Sequence, residues 1–515
     1  MTSLRERIGE LFMIGYPGTD PSAASDLIQR HHVGGIILFT RNIRNAAHAR
    51  EVCLHLQELR ARVSDMPLFI AIDQEGGCVA RITEGVTIFP GNMALGATGS
   101  EEFARQAGRV TARELAALGI TVNFAPVLDI STLPRNPGVG ARSFGSDPAM
   151  VSRLASAMIS GLQENGLCAA AKHFPGLGEA RIDSHDDLPV VDHPRARIEK
   201  VELAPFRAAV KAGVAFVMTA HCSFPALDET GAPATLSAPL LKDLLRGRMK
   251  YEGVVITDCL EMGAVEKRYE APQSARLAFH AGADMLLICH TREKQVAAID
   301  SLARSAETGE IDEERIDQSS ARIRSIKENL KNIPAESAYT PQTKLSEEIA
   351  ARAVTLVQNE NNFVPLRLRH SDRLVVVTPR FEVLTKVEDA AQHNKGFLNE
   401  VKRFHQNLTH LEISVRPDAG EIRRTIEKCA NADVLIILTY NLHLNPPQRE
   451  CVQALLDLGR PAVVAAVRDP HDLAFISGAE ATIATYSFRK CSLKALAGVL
   501  FGKIKAEGSL PIRLQ

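Results

Sequence analysis

The stretch "CAAAKHFPGLGEARIDSHDDLP" (168–189) changes within a few residues from a small, apolar segment to a dense run of polar side chains. Its first part is continuously apolar, which is typical of a strand buried on both faces of a parallel sheet. Its second part presents two histidines, several carboxylates, and glycines placed around a proline. The stretch is therefore a strand that ends either in a solvated surface loop or in a catalytic loop, and the rest of the chain has to distinguish the two.

Seven other apolar runs of the same kind occur before about residue 333, with longer amphipathic stretches between them. They are LFMIGY (11–16), GGIILF (34–39), LFIAID (68–73), NFAPVLD (123–129), AFVMTAH (215–221), GVVITD (253–258) and ADMLLI (283–288). Eight strand–helix repeats within this length predict a (β/α)8 TIM barrel.

The length of 515 residues exceeds one ordinary core, so a second domain is expected. We predict a TIM-barrel catalytic domain over 1–335, a Pro- and Ser/Thr-bearing linker over 336–346 and a second α/β domain over 347–515. Its predicted strands are 373–379, 433–440, 462–468 and 481–486. No Gly-rich phosphate loop follows any of them, which argues against a nucleotide site. The loop "NLHLNPPQRE" (441–450) is expected to be an ordinary surface connection.

Composition excludes several classes of function. A formal net charge of -1 lacks the excess of positive charge that is typical of proteins that bind nucleic acid or an anionic membrane. No signal-peptide pattern and no run of about 18 apolar residues is present. The nine cysteines are scattered without a CxxC pair, which favours reduced thiols and a cytoplasmic protein. Tryptophan is absent, so a small ligand held by hydrogen bonds is expected instead of a long polysaccharide.

Polar residues stand at the C-terminal ends of five of the apolar runs. Because the βα loops of a barrel converge at that end, these residues are expected to share one rim, where barrel enzymes carry their active sites. Any one of them could be an unremarkable end of a strand, but five together indicate a site. They are Asp73, Asp129, Lys172 with His173, His221 and Asp258.

Asp258 follows a buried strand, where a partly desolvated carboxylate suits a nucleophile or a general base, although a helix N-cap is also compatible. Asp73 could accept hydrogen bonds from ligand hydroxyls, and Gly76–Gly77 would let the backbone approach a ligand closely. Arg81 could return towards the site or cap a turn. Arg142 could donate to a polar substrate or form a loop salt bridge.

Asp183 and His185 are two residues apart, so their side chains share one side of an extended chain. A carboxylate that is hydrogen-bonded to an imidazole fixes the tautomer of the imidazole and stabilises the protonated imidazolium. This makes His185 a credible proton-transfer residue. A zinc site is the competing use of such residues. Metal hydrolases on this barrel usually place a His-x-His pair after the first strand, where this chain has Gly15–Tyr16. We therefore expect no metal and no cofactor.

Four motifs, in order "DQEGGCVAR" (73–81), "ARSFG" (141–145), "KHFPGLGEARIDSHDDLP" (172–189) and "ITDCLEM" (256–262), resemble glycoside hydrolase family 3. The third is very similar to the catalytic loop of the bacterial β-N-acetylglucosaminidases of peptidoglycan recycling. The second domain looks like the three-layer α/β sandwich of many members, and it ends in the similar "GSLPIRL" (508–514). The resemblance implies a small carbohydrate partner, the near-zero net charge argues against nucleic acid and membrane as partners, and a monomer or homodimer is expected.

The resemblance also implies a role for each site residue. Asp258 would be the nucleophile of a retaining double displacement, forming a covalent glycosyl-aspartate. His185 would be the acid/base, oriented by Asp183. The residues that would hold the sugar are Asp73, Arg81, Arg142, Lys172 and His173. The implied activity is exo-hydrolysis of terminal β-linked GlcNAc. A phosphorylase using the same residues, or a non-catalytic sugar-binding protein, is the alternative.

The sequence departs from the family pattern in three places. Leu177 stands where the loop commonly has histidine, Glu179–Ala180 where Asp–Thr is usual, and Cys259 where a second aspartate is frequent. The first replaces a possible polar contact with an apolar one, so sugar preference or loop closure is expected to differ. None of the three removes the nucleophile or the Asp–His pair, so activity is expected.

Overall fold

A computed structural model describes residues 3–331, 338–388 and 395–514. The first part is the predicted barrel of eight parallel strands. They are β1 (Phe12–Ile14), β2 (Gly35–Leu38), β3 (Phe69–Ile72), β4 (Val122–Asn123), β5 (Cys168–Phe174), β6 (Phe216–Thr219), β7 (Val254–Thr257) and β8 (Leu286–Ile288). They run β8-β1-β2-β3-β4-β5-β6-β7 around the sheet. A parallel bridge between Ile256 and Met285 brings the two ends of this order together.

Helices separate the barrel strands, as the amphipathic stretches predict. The α-helices are Leu4–Gly9, Ser25–Gln29, Ala46–Ala61, Asn92–Thr98, Glu101–Ala117, Pro148–Gln163, Arg195–Lys200, Leu203–Lys211, Gly263–Glu266, Ala271–Ala281, Arg292–Glu307 and Glu313–Lys331, and Pro239–Arg248 is a π-helix. Side-chain caps fix where several of them begin. Asp147 accepts from Met150 N at 2.9 Å, and Ser100 accepts from Phe103 N at 3.2 Å, so each satisfies a backbone donor that has no partner in the helix.

Of the run predicted as a strand over 123–129, only Asn123 lies in β4. Proline at 126 has no backbone N–H to give to a sheet. Pairing with β5 nevertheless continues past it, since Lys172 N donates to Pro126 O at 3.3 Å and Leu128 N donates to Lys172 O at 2.6 Å, while the last backbone bond to β3 runs from Phe124 N to Ile72 O at 2.8 Å. The side chain of Asn123 instead closes the junction with β3, donating to Gln74 O at 3.0 Å and accepting from Gln74 N at 2.9 Å. This buried amide thereby sets the direction of the chain just after Asp73.

The second domain contains a six-stranded sheet. Its strands are β9 (Thr355–Asn359), β10 (Leu374–Pro379), β11 (Leu408–Ile413), β12 (Val434–Thr439), β13 (Ala462–Ala466) and β14 (Ala481–Ala484), in the order β9-β14-β13-β12-β10-β11. The strand β9 is antiparallel to β14, and the other pairs are parallel. The α-helices of this part are Thr343–Ala353, Lys395–Lys402, Ala419–Cys429, Pro446–Leu456 and Lys490–Leu500. Separate apolar clusters on the two faces of the sheet make the predicted sandwich.

The four strands read from continuous apolar runs form the middle of this sheet, whereas β9 and β11 were not predicted. Both lie at its edges. Edge strands bury less of their surface, and "TLVQN" and "LTHLEI" accordingly mix polar with apolar residues and are mostly half-exposed. Their sequences therefore lack the continuous apolar run that marks a central strand.

Residues 332–337, which contain the predicted domain boundary at 335 and the start of the predicted linker, lie outside the described residues. The remainder of the linker follows the barrel surface. Tyr339 Oη donates to Gly85 O at 2.8 Å, and Gln342 N donates to Thr87 Oγ1 at 2.6 Å. The helix Thr343–Ala353 begins inside the predicted linker. The domain limits 1–335, 336–346 and 347–515 remain a prediction.

The second domain is fixed to the barrel by hydrogen bonds to backbone carbonyls. Arg489 Nε donates to Gly77 O at 2.6 Å, Ser146 N donates to Pro511 O at 2.9 Å, and Ser509 N donates to Ala97 O at 3.0 Å.

The expectation of a surface loop at 441–450 was wrong, because His443 is buried and its Nδ1 lies 2.6 Å from Asp472 Oδ1. Polar loop residues are therefore part of the packed second domain.

All nine cysteines are free and buried, as expected for reduced core thiols. In the ranges 3–331, 338–388 and 395–514, no helix is both long enough and apolar enough to cross a lipid bilayer.

The role of Asn123 predicts that Asn123→Ala destabilises the protein by about 2–4 kcal/mol, because it leaves the buried N–H and C=O of Gln74 without partners. Urea unfolding would measure the loss. Asn329→Ala, at an exposed helical position, is the matched control. Equal stability of the two variants would contradict this account of the β3–β4 junction.

Candidate active site

A cavity of about 540 Å³ opens at the C-terminal ends of the barrel strands, a volume suited to a small ligand. The structure brings all eight predicted site residues to its wall: Asp73, Arg81, Arg142, Lys172, His173, Asp183, His185 and Asp258. The cavity has apolar walls as well, and Phe39 and Leu287 are among them. The convergence expected from the ends of the strands is therefore present.

A network of buried charges underlies one side of the cavity. Lys172, at the end of β5, is 1% exposed, and its Nζ lies 2.7 Å from both Asp73 Oδ1 and Glu75 Oε1. Arg142 binds Glu75 through two N–H donors, at 2.9 and 2.7 Å, and Arg81 Nη2 lies 3.1 Å from Asp73 Oδ2. Each buried carboxylate therefore has two cationic partners, as burial of an ion requires.

The network sets the protonation of its members. Burial opposes ionisation of Asp73, but Lys172 and Arg81 outweigh it, so the pKa of Asp73 lies far below its usual value. Burial likewise opposes ionisation of Glu75, yet Arg142 and Lys172 lower its pKa to about 2. Glu75 in turn raises the pKa of Arg142 against the effect of burial. Both carboxylates are therefore ionised at neutral pH.

Asp183 and His185 form a direct pair. His185 Nδ1 lies 2.7 Å from Asp183 Oδ1, and the same oxygen accepts from His185 N at 2.9 Å. The contact arises in a turn instead of the predicted extended chain, since Asp186 N donates to Asp183 O. Burial opposes ionisation of Asp183, but the bond from His185 and the charge of Arg142 lower its pKa. An ionised Asp183 places the proton on Nδ1 and leaves Nε2 to exchange protons.

His173 is held by Asp129, one of the polar strand ends that was not assigned a role. Asp129 Oδ2 lies 2.7 Å from His173 Nδ1, and Asp129 Oδ1 accepts from Leu177 N at 2.7 Å. Asp129 is fully buried and does not line the cavity. It therefore orients the imidazole of His173 and anchors the start of the 175–189 loop from behind.

Asp258 follows β7, and its Oδ1 accepts from Cys259 N at 2.7 Å. His221, expected at the same rim, lies beneath the cavity wall. Its Nε2 lies 2.8 Å from Cys259 O, and its Nδ1 lies 2.7 Å from Thr235 Oγ1. Burial lowers the pKa of His221, so the neutral imidazole donates to Cys259 O. His221 therefore positions the chain next to Asp258 instead of lining the cavity.

The residues that depart from the family pattern fit the loop around them. Glu179 bonds Thr132 Oγ1, Arg197 Nη2 at 3.0 Å and His193 Nε2 at 3.2 Å, which ties the loop to the barrel surface. Leu177 lines the cavity and is 8% exposed. Glu179 thus anchors the loop, and Leu177 gives the cavity an apolar contact.

The glycines of this region allow backbones to approach each other. A Cβ on Gly178 would lie 1.9 Å from Ile130 O, so only glycine fits there. The expectation that Gly76–Gly77 face a ligand was wrong. A Cβ on Gly77 would meet Pro90 O at 2.9 Å, and Gly77 N donates to Phe89 O at 2.9 Å. This turn packs on the 89–91 segment of the barrel.

The second domain supplies part of the cavity wall through Lys386, Val387 and Glu388. Arg81 Nη1 donates to Val387 O at 2.8 Å, and Lys386 Nζ lies 2.9 Å from Asp186 Oδ1 on the 175–189 loop. Arg81 therefore returns towards the site, one of the two uses considered for it, where it bonds Asp73, and it also joins the barrel to the second domain.

The sequence profile described as "Glycosyl hydrolase family 3 N terminal domain" matches residues 3–326. The chain belongs to glycosyl hydrolase family 3. It is 32% identical over 549 residues to the β-hexosaminidase A of Pseudoalteromonas piscicida, which covers 96% of this chain and 91% of that protein. These two matches confirm the resemblance that the four motifs indicated. The protein is a glycoside hydrolase.

Solved family 3 structures match the whole molecule. A β-N-acetylglucosaminidase from Paenibacillus sp. str. FPU-7 superposes with a TM-score of 0.96 at 38% identity, covering 100% of this chain and 99% of that one. A fungal multi-domain β-N-acetylglucosaminidase superposes with a TM-score of 0.93 at 34% identity, covering 99% of this chain and 61% of that one. The barrel followed by a second sheet is therefore the two-domain arrangement of the family.

Several residues of the site were not predicted. Glu75 lies inside the quoted "DQEGGCVAR", and its position two residues after Asp73 was the available signal. Asp129 was noted at the end of a strand but given no role. Lys386, Val387 and Glu388 follow β10 in the other domain, and no sequence pattern places them against the barrel.

The network predicts that Glu75→Gln destabilises the family 3 enzyme by about 3–5 kcal/mol at neutral pH, since Lys172 and Arg142 lose a buried counter-charge. The pKa of Glu75 is lower in the folded state, so the unfolded chain binds the proton first as pH falls. The stabilisation is complete above pH 4.5 and is lost as pH falls towards 2.

Chemical denaturation of wild type and Glu75→Gln at several pH values checks this, with Glu58→Gln on the exposed face of Ala46–Ala61 as the control. The gap between wild type and Glu75→Gln should narrow as pH falls below 4.5. A gap that stays constant over that window would show that Glu75 is not held as a paired carboxylate.

Proposed function

We propose that the protein is a retaining exo-β-N-acetylglucosaminidase that uses Asp258 as its nucleophile and His185, oriented by Asp183, as its acid/base. The observation that carries this proposal is that a carboxylate after β7 and a hydrogen-bonded Asp–His pair line the same cavity. The β-hexosaminidase and the β-N-acetylglucosaminidase that match nearly the whole chain support an N-acetyl-β-hexosaminide as the substrate.

The first chemical step cleaves the glycosidic bond. Asp258 attacks the anomeric carbon, the imidazolium of His185 gives its Nε2 proton to the leaving oxygen, and a glycosyl-aspartate ester forms. Asp183 stays ionised throughout, as its lowered pKa requires, and stabilises the imidazolium. The oxygen of the aglycone leaves as an alcohol, so charge and protons balance.

The second step releases the sugar. Neutral His185 takes a proton from water through Nε2, the water oxygen attacks the anomeric carbon, and the ester bond to Asp258 breaks. Two displacements at one carbon give a product with the configuration of the substrate. The imidazolium that forms is the acid needed for the next turnover.

The buried network supplies sugar contacts with little freedom to move. The ammonium of Lys172 has three donors, and Asp73 and Glu75 take two of them, which leaves one for a sugar hydroxyl. Asp73 accepts from hydroxyls through its oxygens, and His173 presents Nε2, since its Nδ1 is held by Asp129. The guanidinium of Arg142 is bound twice to Glu75, so it acts through charge as much as through contact.

The shape of the cavity favours an exo-acting enzyme. The second-domain residues Lys386, Val387 and Glu388 close one side of a space of about 540 Å³, which suits one terminal sugar better than an open groove does. Muropeptide- or chitin-derived sugars in the cytoplasm are the natural substrates that we propose.

A phosphorylase is the second candidate function. The use of a histidine as the acid/base favours it. A neutral or cationic imidazole presents no anionic wall to phosphate, whereas a carboxylate acid/base would repel it. Phosphate in place of water in the second step would give a sugar 1-phosphate from the same Asp258 ester.

Asp258→Asn is expected to reduce kcat on p-nitrophenyl N-acetyl-β-glucosaminide by roughly 10⁴–10⁶-fold, because the amide cannot form the ester. Asp187→Asn, a half-exposed acid of the 175–189 loop that pairs with Arg268 and does not line the cavity, is the control and should stay within about twofold of wild type. Proton NMR of wild-type turnover should show the β-anomer first, and an α-anomer would contradict double displacement.

The same assay with and without phosphate separates the two candidates. Turnover in plain buffer, with free sugar as the product, identifies the hydrolase. Strong acceleration by phosphate, with sugar 1-phosphate as the product, identifies the phosphorylase. No turnover in either condition by folded protein would contradict both and leave the sugar-binding alternative.

Asp183→Asn is expected to lower kcat/KM by about 10²–10⁴-fold, because Nδ1 loses the carboxylate that fixes its proton and the imidazolium loses its counter-charge. The alkaline limb of the pH–rate profile should move to lower pH, which simple loosening of the loop would not cause. An unchanged profile would show that Asp183 does not act through His185.

A further inference from the structure

Two cysteines and a histidine meet beside the proposed nucleophile. Cys259 follows Asp258 after β7, and Cys289 with His290 follows the adjacent strand β8. Their two Sγ atoms and one imidazole nitrogen all lie within 4.8 Å of one another. In the described part of the chain, no other trio of Cys, His, Asp or Glu side chains is grouped this closely. All three side chains line the catalytic cavity.

The donor set suits a thiophilic divalent ion. Zinc prefers thiolate sulfur at about 2.3 Å and imidazole nitrogen at about 2.0–2.1 Å, in a tetrahedron. Donor atoms around such an ion are roughly 3.5–3.8 Å apart, so the observed spacing needs only a small closing movement. Three protein ligands leave a fourth position that faces the cavity.

The neighbouring carboxylate is compatible with such an ion. Glu261 Oε2 lies 3.9 Å from Cys259 Sγ, and Glu261 also accepts from the backbone N–H groups of His290 and Thr291, at 2.6 and 3.0 Å. These bonds fix the loop that carries His290 against the loop that carries Cys259. Glu261 therefore holds two of the ligands together and adds negative charge next to them.

We propose that Cys259, Cys289 and His290 form a binding site for one Zn²⁺ ion, whose occupation inhibits the enzyme. Binding breaks two S–H bonds, forms two Zn–S bonds and one Zn–N bond, and releases two protons to solvent without any change of oxidation state. The binding site stands on the geometry alone. The inhibition rests on the proposed function of Asp258, and the expectation of a reaction without a metal is unchanged.

Inhibition follows from position. The backbone N–H of Cys259 holds Asp258 Oδ1 at 2.7 Å, so an ion bound to the sulfur of Cys259 stands next to the carboxylate that must attack the sugar. The positive charge would hold the carboxylate and reduce its nucleophilicity, and the ion would occupy part of the cavity. Substrate and Zn²⁺ are then expected to compete.

Equilibrium dialysis of the full-length, reduced protein against Zn²⁺ tests the site without using turnover. Wild type should bind one ion per chain. Cys259→Ser and Cys289→Ser should each weaken binding by at least about tenfold, given that loss of outer-shell partners alone costs 10–100-fold. Cys491→Ser, which alters a buried thiol far along the chain in the second domain, is the matched control and should bind as wild type does.

Two further measurements complete the test. Co²⁺ in place of Zn²⁺ should give the intense thiolate-to-metal absorption in wild type, weakened in each of the two serine variants. Zn²⁺ should raise the apparent KM of wild type for p-nitrophenyl N-acetyl-β-glucosaminide, and chelation should reverse the effect.

Zinc binding that survives both serine substitutions, or a cobalt spectrum without thiolate absorption, would overturn the site. A Cys259–Cys289 disulfide in the purified protein, with no zinc bound after reduction, would overturn it as well. One bound ion with unchanged turnover would contradict the inhibition. Absence of turnover without zinc would count against the proposed function and leave the dialysis result intact.

Discussion

The ammonium of Lys172 is the centre on which the site depends. It lies between Asp73 and Glu75, 2.7 Å from each, with almost no exposure to water. Two carboxylates this close would repel each other strongly in a buried site, and their charges persist only because a cation stands between them. Arg142 and Arg81 complete the network, which holds three cations against two anions.

That network joins segments that are distant in the sequence. Four segments carry the charged residues of the network. They are the end of β3, the short hairpin Gln74–Gly76 with Val79–Ala80, the turn Gly140–Arg142 and the end of β5. Through Arg81 it reaches Val387, so the second domain is seated against the same charges. The network thus carries a surplus of one positive charge at the wall of the cavity that Asp258 also lines. The stability of the barrel and the wall of the cavity therefore depend on the same buried contacts.

The sequence was sufficient to predict the buried strands and the polar residues at their ends. Eight apolar runs predicted the barrel, and the polar residues after them predicted the rim. Edge strands such as β11 escaped prediction because their exposure breaks the apolar run. Glu75 was missed because its importance lies in a contact 67 residues away, with Arg142. The wall from Lys386 to Glu388 depends on how two domains pack, which no local pattern records.

The central claim is that Asp258 becomes covalently bound to the sugar, and rapid-quench mass spectrometry of the wild-type protein during turnover tests it most directly. Proteolysis of the quenched protein should yield a peptide containing Asp258 that carries one N-acetylhexosamine in ester linkage. The modified fraction should increase in a His185→Ala variant supplied with an activated glycoside, because deglycosylation lacks its base. Retention of configuration with no modified peptide, in either protein, would contradict the claim and indicate that the N-acetyl group of the substrate is the nucleophile.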